Sequence, residues 1–140
     1  ENNLYINTDF DKVIDIAKRK NIQVVERPSH LAGDKVWTQP VINHTEDELG
    51  GLDDEDIIVI LQANSPQITS EKIDECIDML IDNDLFEVHT IDSTMINNGA
   101  IQVIKRKVRE QKGKVCYNGV VMADWIDVHT IEDVNKIGEL

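Results

Sequence analysis

Short apolar runs alternate along the chain with segments whose apolar residues recur at helical spacing. The runs predict strands at residues 4–7, 22–25, 57–61, 86–91, 100–104 and 114–122. The periodic segments predict helices at residues 10–17, 40–49 and 73–80, and a last helix that begins at Thr130. This alternation is typical of βαβ units, and it predicts an α/β fold with a mostly parallel sheet.

The run at residues 57–61 is apolar without interruption, which is typical of a central strand buried on both faces. A polar loop follows as far as Thr69, which with Ser70 is placed to cap the next helix; Thr8 or Asp9 is placed to cap the first. Near the end of the chain, Thr130 and the acidic residue three positions later form a capping-box pattern.

Length and composition indicate one globular domain over residues 1–140. The chain is long enough to bury a single core, and it is 41% hydrophobic and 29% charged, unlike disordered or fibrous proteins. Of its 2 cysteines, Cys76 lies on the apolar stripe of a predicted helix, and the pair forms no metal motif. The sequence has no signal-peptide pattern and no apolar stretch of about 18 residues, so we expect a cytoplasmic protein.

The charge balance limits the classes of partner. The net charge is −13, from 27 acidic and 14 basic residues, so the field of the protein repels phosphate backbones and anionic membranes. We therefore expect neither nucleic acid nor a membrane as a partner. The basic run at residues 105–114 could bind an anion, but its spacing better fits the solvated face of a helix.

Polar residues that follow predicted strands are the candidates for ligand binding, because open α/β sheets bind ligands at the carboxyl ends of their strands. Four such places are residues 8–9, 27–34, 62–69 and 127–130. Asp127 and His129 stand two apart, so on an extended segment both side chains leave the same side, as a metal pair requires.

Four segments around these places carry motifs. Residues 6–34 (INTDFDKVIDIAKRKNIQVVERPSHLAGD) contain a strand ending in N-T-D, a helix and an R-P-x-x-L-A-x-D loop; the others are residues 56–80 (DIIVILQANSPQITSEKIDECIDML), 97–106 (NNGAIQVIKR) and 125–137 (WIDVHTIEDVNKI). In this order they resemble the acylneuraminate cytidylyltransferase family, which makes CMP-activated sialic acids and related nonulosonic acids from CTP. The matching family motifs are S-T-D, L-L-Q-P-T-S-P-L-R, N-G-A-I-Y and I-D-I-D-T-x-x-D-L.

The resemblance implies a three-layer, mostly parallel, Rossmann-like nucleotidyltransferase sheet and transfer of CMP from CTP to a nonulosonic sugar acid. It implies that Arg27 contacts the nucleotide, and that Asp127 binds Mg²⁺ with His129 in the place of a second carboxylate. The residues that it places at the sugar-acid site are Gln62, Ser65 and Asn98. These types suit the chemistry, because carboxylates hold Mg²⁺ against phosphates while guanidinium and amide groups orient anionic and polar partners.

The chain also departs from the family's pattern. The family opens with a strand and a glycine-rich basic loop, G-G-S-K followed by K-N, and nothing in these 140 residues corresponds to it. We therefore expect a sheet that lacks its first strand and phosphate loop, in a chain that begins, at Glu1, within the fold. Only five residues separate Ile91 from Asn97, where the family carries a longer insertion that reaches a dimer partner.

Three further differences fall on the predicted site itself. Asn64 replaces Thr, and Gln67–Ile68 stands where Leu-Arg is usual, which removes a cation beside the sugar pocket. His129 replaces the second carboxylate of the D-x-D ending. An imidazole is a poorer Mg²⁺ ligand than oxygen, so either Asp127 holds the metal alone or the metal differs.

Less specific interpretations stay open for the same residues. The loop after Gln62 can simply start a helix, Asp127 can be incidental at a strand-to-helix joint, and Arg27 can be a solvated loop residue. Trp37 and Trp125 could flank a ligand, but in an aromatic-poor chain we expect both to pack in the core.

Two functions of different classes follow. The first is a cytidylyltransferase with CTP and a sugar acid as its partners; the second is a non-catalytic module, either truncated or retained for binding and association. We expect these residues alone not to turn over CTP, because phosphate positioning supplies most of phosphoryl-transfer catalysis. A sheet without its opening strand exposes unpaired edge groups, so we also expect a homo-oligomer or association with a partner.

Overall fold

A computed structural model describes residues 3–33, 35–109 and 117–138. The described chain is α/β, with strands and helices alternating over most of its length. It forms two compact units, unit 1 (Glu1–Leu52) and unit 2 (Asp53–Leu140). The single domain expected from the length stays a prediction. Within the described ranges, no helix combines the length and the apolar character that crossing a membrane requires.

Unit 1 is built on two short parallel strands and their connecting helix. Its elements are β1 (Tyr5–Thr8), α1 (Asp11–Arg19), β2 (Gln23–Glu26), a 3-10 turn (Ser29–Leu31) and α2 (Thr38–Leu49). β1 and β2 pair in parallel, with Tyr5 opposite Gln23 and Thr8 opposite Glu26. Ala17, on the predicted apolar face of α1, is fully buried. The strand, helix and strand predicted for this part of the chain are confirmed.

Unit 2 is a four-stranded sheet with a long helix packed on it. Its elements are β3 (Ile57–Leu61), α3 (Ser70–Asp82), β4 (Glu87–Ile91), β5 (Asn97–Lys105), α4 (Arg106–Arg109), β6 (Asn118–Met122) and α5 (Ile131–Gly138). The strand order is β3-β5-β4-β6. β5 runs antiparallel to both β3 and β4, whereas β4 and β6 are parallel.

This topology corrects two expectations from the sequence. Residues 57–61 form a strand at one edge of the described sheet, not at its centre, and four of these five residues are only half-buried. The described strand pairs are divided equally between parallel and antiparallel, so the strands are not mostly parallel, and the four-stranded sheet is mixed. The physical reason is the short connection at residues 92–96, which is long enough for a hairpin but too short for a parallel crossover.

The helix starts match the capping predictions only in part. Thr69 caps α3 as predicted, since its hydroxyl accepts from the Lys72 backbone N–H at 3.3 Å. For α1 the prediction of Thr8 or Asp9 is wrong, because Phe10 occupies the N-cap position and makes no side-chain cap bond. The Thr8 hydroxyl accepts from the Phe10 N–H at 3.2 Å instead.

The basic run predicted as one helix face divides among several elements. Its first residue ends β5, the next four form α4, and the remainder, with Cys116, lies outside the described residues. Three of its cations pair with carboxylates at 2.6, 3.0 and 2.8 Å: Lys105 with Asp84, Arg106 with Asp54, and Lys107 with Glu55. Three of the described cations of the run are thus held in ion pairs.

The core of unit 2 lies between α3 and the sheet. Its fully or almost fully buried members are Cys76, Leu80, Val88, Ile101, Val103 and Val121. Burial raises the pKa of the Cys76 thiol to about 11, so this cysteine stays protonated at neutral pH, as expected of a core residue. Trp125 packs against the cluster as predicted. The packing predicted for Trp37 is wrong, because this side chain precedes α2 and is 83% exposed.

Gly119 allows β6 to approach α3 closely, and we expect its replacement by alanine to be destabilising. A Cβ there would lie 2.6 Å from Leu85 Cδ1, 2.9 Å from Met79 Sδ and 3.2 Å from Val88 Cγ2. Gly119→Ala should lower the free energy of unfolding by about 1 kcal/mol, the low end of the usual cost of overpacking a core, because the ends of the Leu85 and Met79 side chains can shift. Urea unfolding followed by circular dichroism measures this change.

Gly138→Ala is the matched control for this prediction. Gly138 lies at the end of α5, and a Cβ there would meet nothing within 4 Å. Alanine also favours the helical conformation over glycine, so the control should keep or slightly raise the stability. Equal stability of the two variants would contradict the close packing of β6 on α3.

Candidate functional site

The topology of unit 2 brings several strand ends to one edge of its sheet. Because β5 is antiparallel to both neighbours, it begins where β3 and β4 end, with Leu61 opposite Ile101 and Ile91 opposite Asn97. β6 is parallel to β4 and ends at the same place, with Met122 opposite Ile91. We call this end of the sheet, where β3, β4 and β6 terminate, the carboxyl edge; it is not the lateral edge that β3 forms. The predicted site residues that follow these strand ends or begin β5 are Gln62, Ser65, Asn98, Asp127 and His129.

The loop after β3 is a fixed part of the carboxyl edge. The Gln62 N–H donates to the Ala100 carbonyl at 3.0 Å, which extends the β3–β5 pairing by one residue. The Ser65 N–H then donates to the Gln62 carbonyl at 3.2 Å, and the Ile68 N–H to the Ser65 carbonyl at 3.3 Å. Ser65 is buried and Gln62 half-buried. Consecutive turns therefore hold both predicted substrate residues in place.

Asp127 and His129 stand beside this loop. The Val128 N–H donates to the Asn64 carbonyl at 2.8 Å, so the segment after β6 is bonded directly to the segment after β3. His129 Nε2 lies 2.8 Å from Asp127 Oδ2, and their side chains are 69% and 47% exposed. The two side chains therefore meet, as their spacing predicted.

Of the side-chain atoms in this pair, the carboxylate oxygens of Asp127 are the ones that suit Mg²⁺ as ligands. Mg²⁺ is commonly held by one or two carboxylates and completes its coordination with water and substrate phosphates, which a single exposed carboxylate permits. His129 Nε2 lies at hydrogen-bonding distance from this carboxylate and can orient it. Among the described residues, no group of three or more His, Cys, Asp or Glu side chains is placed to hold a metal. The assignment of Mg²⁺ to Asp127 and His129 stays a prediction.

Asn98 joins the strands at the carboxyl edge. Its Oδ1 accepts from Thr90 Oγ1 at 2.6 Å and from the Ala100 N–H at 3.2 Å, and its Nδ2 donates to the Ala123 carbonyl at 2.7 Å. Thr90 is fully buried, and its hydroxyl accepts from the Ile101 N–H at 3.1 Å. These bonds tie β4, β5 and the end of β6 together. Besides its predicted place at the substrate site, Asn98 thus has a structural role that the sequence did not signal.

We expect Asn98→Ala to lower the free energy of unfolding by about 1–3 kcal/mol, because the buried Thr90 hydroxyl loses its acceptor. Thr90→Val removes the hydroxyl that donates to Asn98 and keeps the shape of the side chain. Since residues in contact do not act independently, the double variant should lose less stability than the sum of the two single variants. Urea unfolding of the four proteins measures the coupling, and strict additivity would mean that the Thr90–Asn98 bond contributes nothing.

The start of α5 shows the capping box predicted from Thr130. Asp133 Oδ2 accepts from Thr130 Oγ1 at 2.9 Å, from the Thr130 N–H at 2.9 Å and from the His129 N–H at 3.1 Å. The Asp133 N–H donates to Thr130 Oγ1 at 3.3 Å. The bond from Lys136, and then those from Thr130 and His129, hold the pKa of Asp133 far below its usual range. The cap also fixes the backbone of His129.

This cap should weaken in acid. A carboxyl whose pKa is lower in the folded than in the unfolded chain stabilises the folded state while ionised, and that contribution is lost as it gains a proton. The unfolded value is about 3.9, so α5 should be intact at neutral pH and fray progressively below about pH 4. Amide chemical shifts of His129 and Thr130, followed from neutral to strongly acidic pH, measure the loss. Asp133→Asn should remove most of this acid dependence; unchanged wild-type shifts in acid would contradict the cap's role.

Arg27 belongs to unit 1, where it follows β2 and is oriented by Asn7. Its Nε donates to Asn7 Oδ1 at 2.9 Å and its Nη2 to the Asn7 carbonyl at 2.6 Å. Asn7 Nδ2 in turn donates to Thr45 Oγ1 at 2.9 Å and lies 3.2 Å from His44 Nδ1. Nucleotide contact by Arg27 stays a prediction. Sequence reasoning missed Asn7, although its place beside Thr8 at a strand end is the signal that could have found it.

In comparisons with known proteins, no family model matches this chain and no curated protein matches it significantly. The resemblance to the cytidylyltransferase family therefore stays an interpretation of the sequence. What the structure adds is the meeting of two separated segments at the carboxyl edge, which bear Asn64 and Val128.

Proposed function

We propose that the protein is a Rossmann-like nucleotidyltransferase that transfers CMP from CTP to a nonulosonic sugar acid. One observation carries the proposal. Predicted site residues from three separate motifs lie at one edge of one sheet, and a backbone hydrogen bond from Val128 to Asn64 joins two of these motifs. Open α/β sheets bind ligands at the carboxyl ends of their strands, so the place where these residues meet suits a substrate site.

In the proposed reaction a sugar hydroxyl attacks the α-phosphorus of CTP, a new oxygen–phosphorus bond forms, and pyrophosphate leaves. Gln62 and Ser65 bind polar groups of the sugar acid at the fixed loop after β3. Arg27 offers a guanidinium to an anionic part of the nucleotide. Asp127 holds Mg²⁺, which when bound neutralises the phosphate charge that develops during transfer.

A second function, a non-catalytic binding or association module of the same fold, has one observation in its favour. These 140 residues contain no counterpart of the family's opening loop motif, G-G-S-K followed by K-N, which positions the triphosphate. A module would bind ligand without releasing pyrophosphate. An encoding reading frame that continues upstream into such a loop favours the enzyme, and a frame that opens at this point favours the module.

Binding of CTP tests the proposed site. In calorimetric titrations with Mg²⁺ present, Asp127→Asn should weaken CTP binding roughly tenfold to a hundredfold, because a charge-assisted contact is lost. N-acetylneuraminic acid added with CTP and Mg²⁺ should also shift the amide resonances of Gln62, Ser65 and Asn98 in the wild-type protein. With N-acetylneuraminic acid present as well, a pyrophosphate assay reports whether binding leads to turnover.

Asp124→Asn is the matched control, since it makes the same change of charge at the carboxyl edge. Asp124 Oδ1 accepts from the Ser93 N–H at 2.6 Å, and an asparagine oxygen can still accept there. CTP affinity should be nearly unchanged in this variant. Equal losses in the two variants would assign the effect to general charge, and a wild-type protein that binds no CTP would show that the cytidylyltransferase proposal is wrong.

A further inference from the structure

The segment that carries Asp127 connects β6 to α5, and its residues after Ala123 are half-buried or exposed. Residues 123–129 form no helix or strand, and both Asp127 and His129 are exposed. Packing by Trp125 against the core fixes the start of this segment, and the Asp133 cap fixes its end. Between these anchors, the position of the Asp127 backbone depends on hydrogen bonds.

Two hydrogen bonds bracket Asp127. The Ile126 N–H donates to Gln67 Oε1 at 2.7 Å, and the Val128 N–H donates to the Asn64 carbonyl at 2.8 Å. N–H groups two residues apart on an extended segment point the same way, so both bonds join the segment to the loop after β3. The backbone N–H groups of the residues on both sides of Asp127 are therefore held against one loop.

The two bonds differ in how they depend on the sequence. The Asn64 acceptor is a backbone carbonyl, which any residue at that position would supply. The Gln67 acceptor is a side-chain oxygen, and only a residue of similar length with an acceptor at its end can replace it. Gln67 is half-buried in a loop whose neighbour Ile68 packs against the core, so the backbone that carries its side chain is held in place.

We infer that Gln67 is a positioning residue for the Asp127–His129 pair. Without the bond to the Ile126 N–H, only the bond between Val128 and Asn64 holds the segment. The exposed Asp127 carboxylate would then have to be ordered when a ligand binds, which lowers the affinity. The inference deepens the proposed function and rests on it for its role in nucleotide binding. The resemblance gave Gln67 only as a departure from the family's pattern, with no role of its own.

Two variants of Gln67 test this inference in the chain without any ligand. Gln67→Met keeps the length of the side chain and removes the oxygen, whereas Gln67→Glu keeps an oxygen acceptor. In Gln67→Met we expect hydrogen exchange of the Ile126 amide to accelerate about tenfold, the ratio expected for one lost hydrogen bond. The resonances that report the 2.8 Å contact between His129 and Asp127 should change with it. Gln67→Glu should resemble the wild type in both measurements.

Exchange of the Val103 amide in the core separates positioning from a general loss of stability. Faster exchange confined to residues 126–129, with Val103 unchanged, supports the inference. Parallel acceleration at Val103 would show that Gln67 only stabilises the fold, and unchanged exchange at Ile126 would show that its bond to Gln67 does not hold the segment. Either result overturns the inference.

CTP titration with Mg²⁺ then links Gln67 to the proposed site. We expect Gln67→Met to bind CTP several-fold more weakly than the wild type, and Gln67→Glu to retain binding. Wild-type affinity in Gln67→Met would overturn a role in ligand binding. If the wild type itself binds no CTP, the proposed function fails, while the exchange measurements still decide whether Gln67 positions the Asp127–His129 pair.

Discussion

β5 forms hydrogen bonds with β3 and β4 at once, and the placement of the candidate site depends on this double pairing. Buried backbone N–H and C=O groups need partners, so the register of β5 fixes where each neighbour ends. With Leu61 opposite Ile101 and Ile91 opposite Asn97, the chain leaves both neighbouring strands at the same edge. A slip of one residue would turn Ile101 and Val103 away from the core cluster that packs against α3. The core and the site are thus fixed by one register.

Local features of this fold could be predicted from the sequence because their signals lie within a few residues of one another. The apolar spacing of α3 and its Thr69 cap are confirmed, as is the capping pair of Thr130 and Asp133. The strand predicted at residues 100–104 occurs within Asn97–Lys105. The polar loop after residues 57–61 also occurs as expected, and it is this loop that forms part of the candidate site.

Pairings between distant residues could not be predicted in this way. The apolar run at residues 57–61 indicated burial, but it carried no information about which strands would lie beside it, and the strand lies at an edge. The side-chain amides of Asn98 and Gln67 can donate or accept hydrogen bonds, but only the folded sheet determines that their partners are Thr90 and Ile126. The sequence therefore indicated candidate site residues, but it did not indicate the hydrogen bonds that hold them in place.

The charges at the carboxyl edge set a condition on any anionic ligand. Asp92, Asp124 and Asp127 follow the ends of β4 and β6, and bonds from Thr94 and the Ile96 N–H hold the pKa of Asp92 below its usual value. Ionised carboxylates repel a triphosphate and a sugar acid alike, so an anion can approach only together with positive charge. In the proposed function, this edge therefore receives a metal–nucleotide complex and not free CTP. In that function Asp127 binds the cation and the cation binds the phosphates, which reconciles a net charge of −13 with phosphate chemistry.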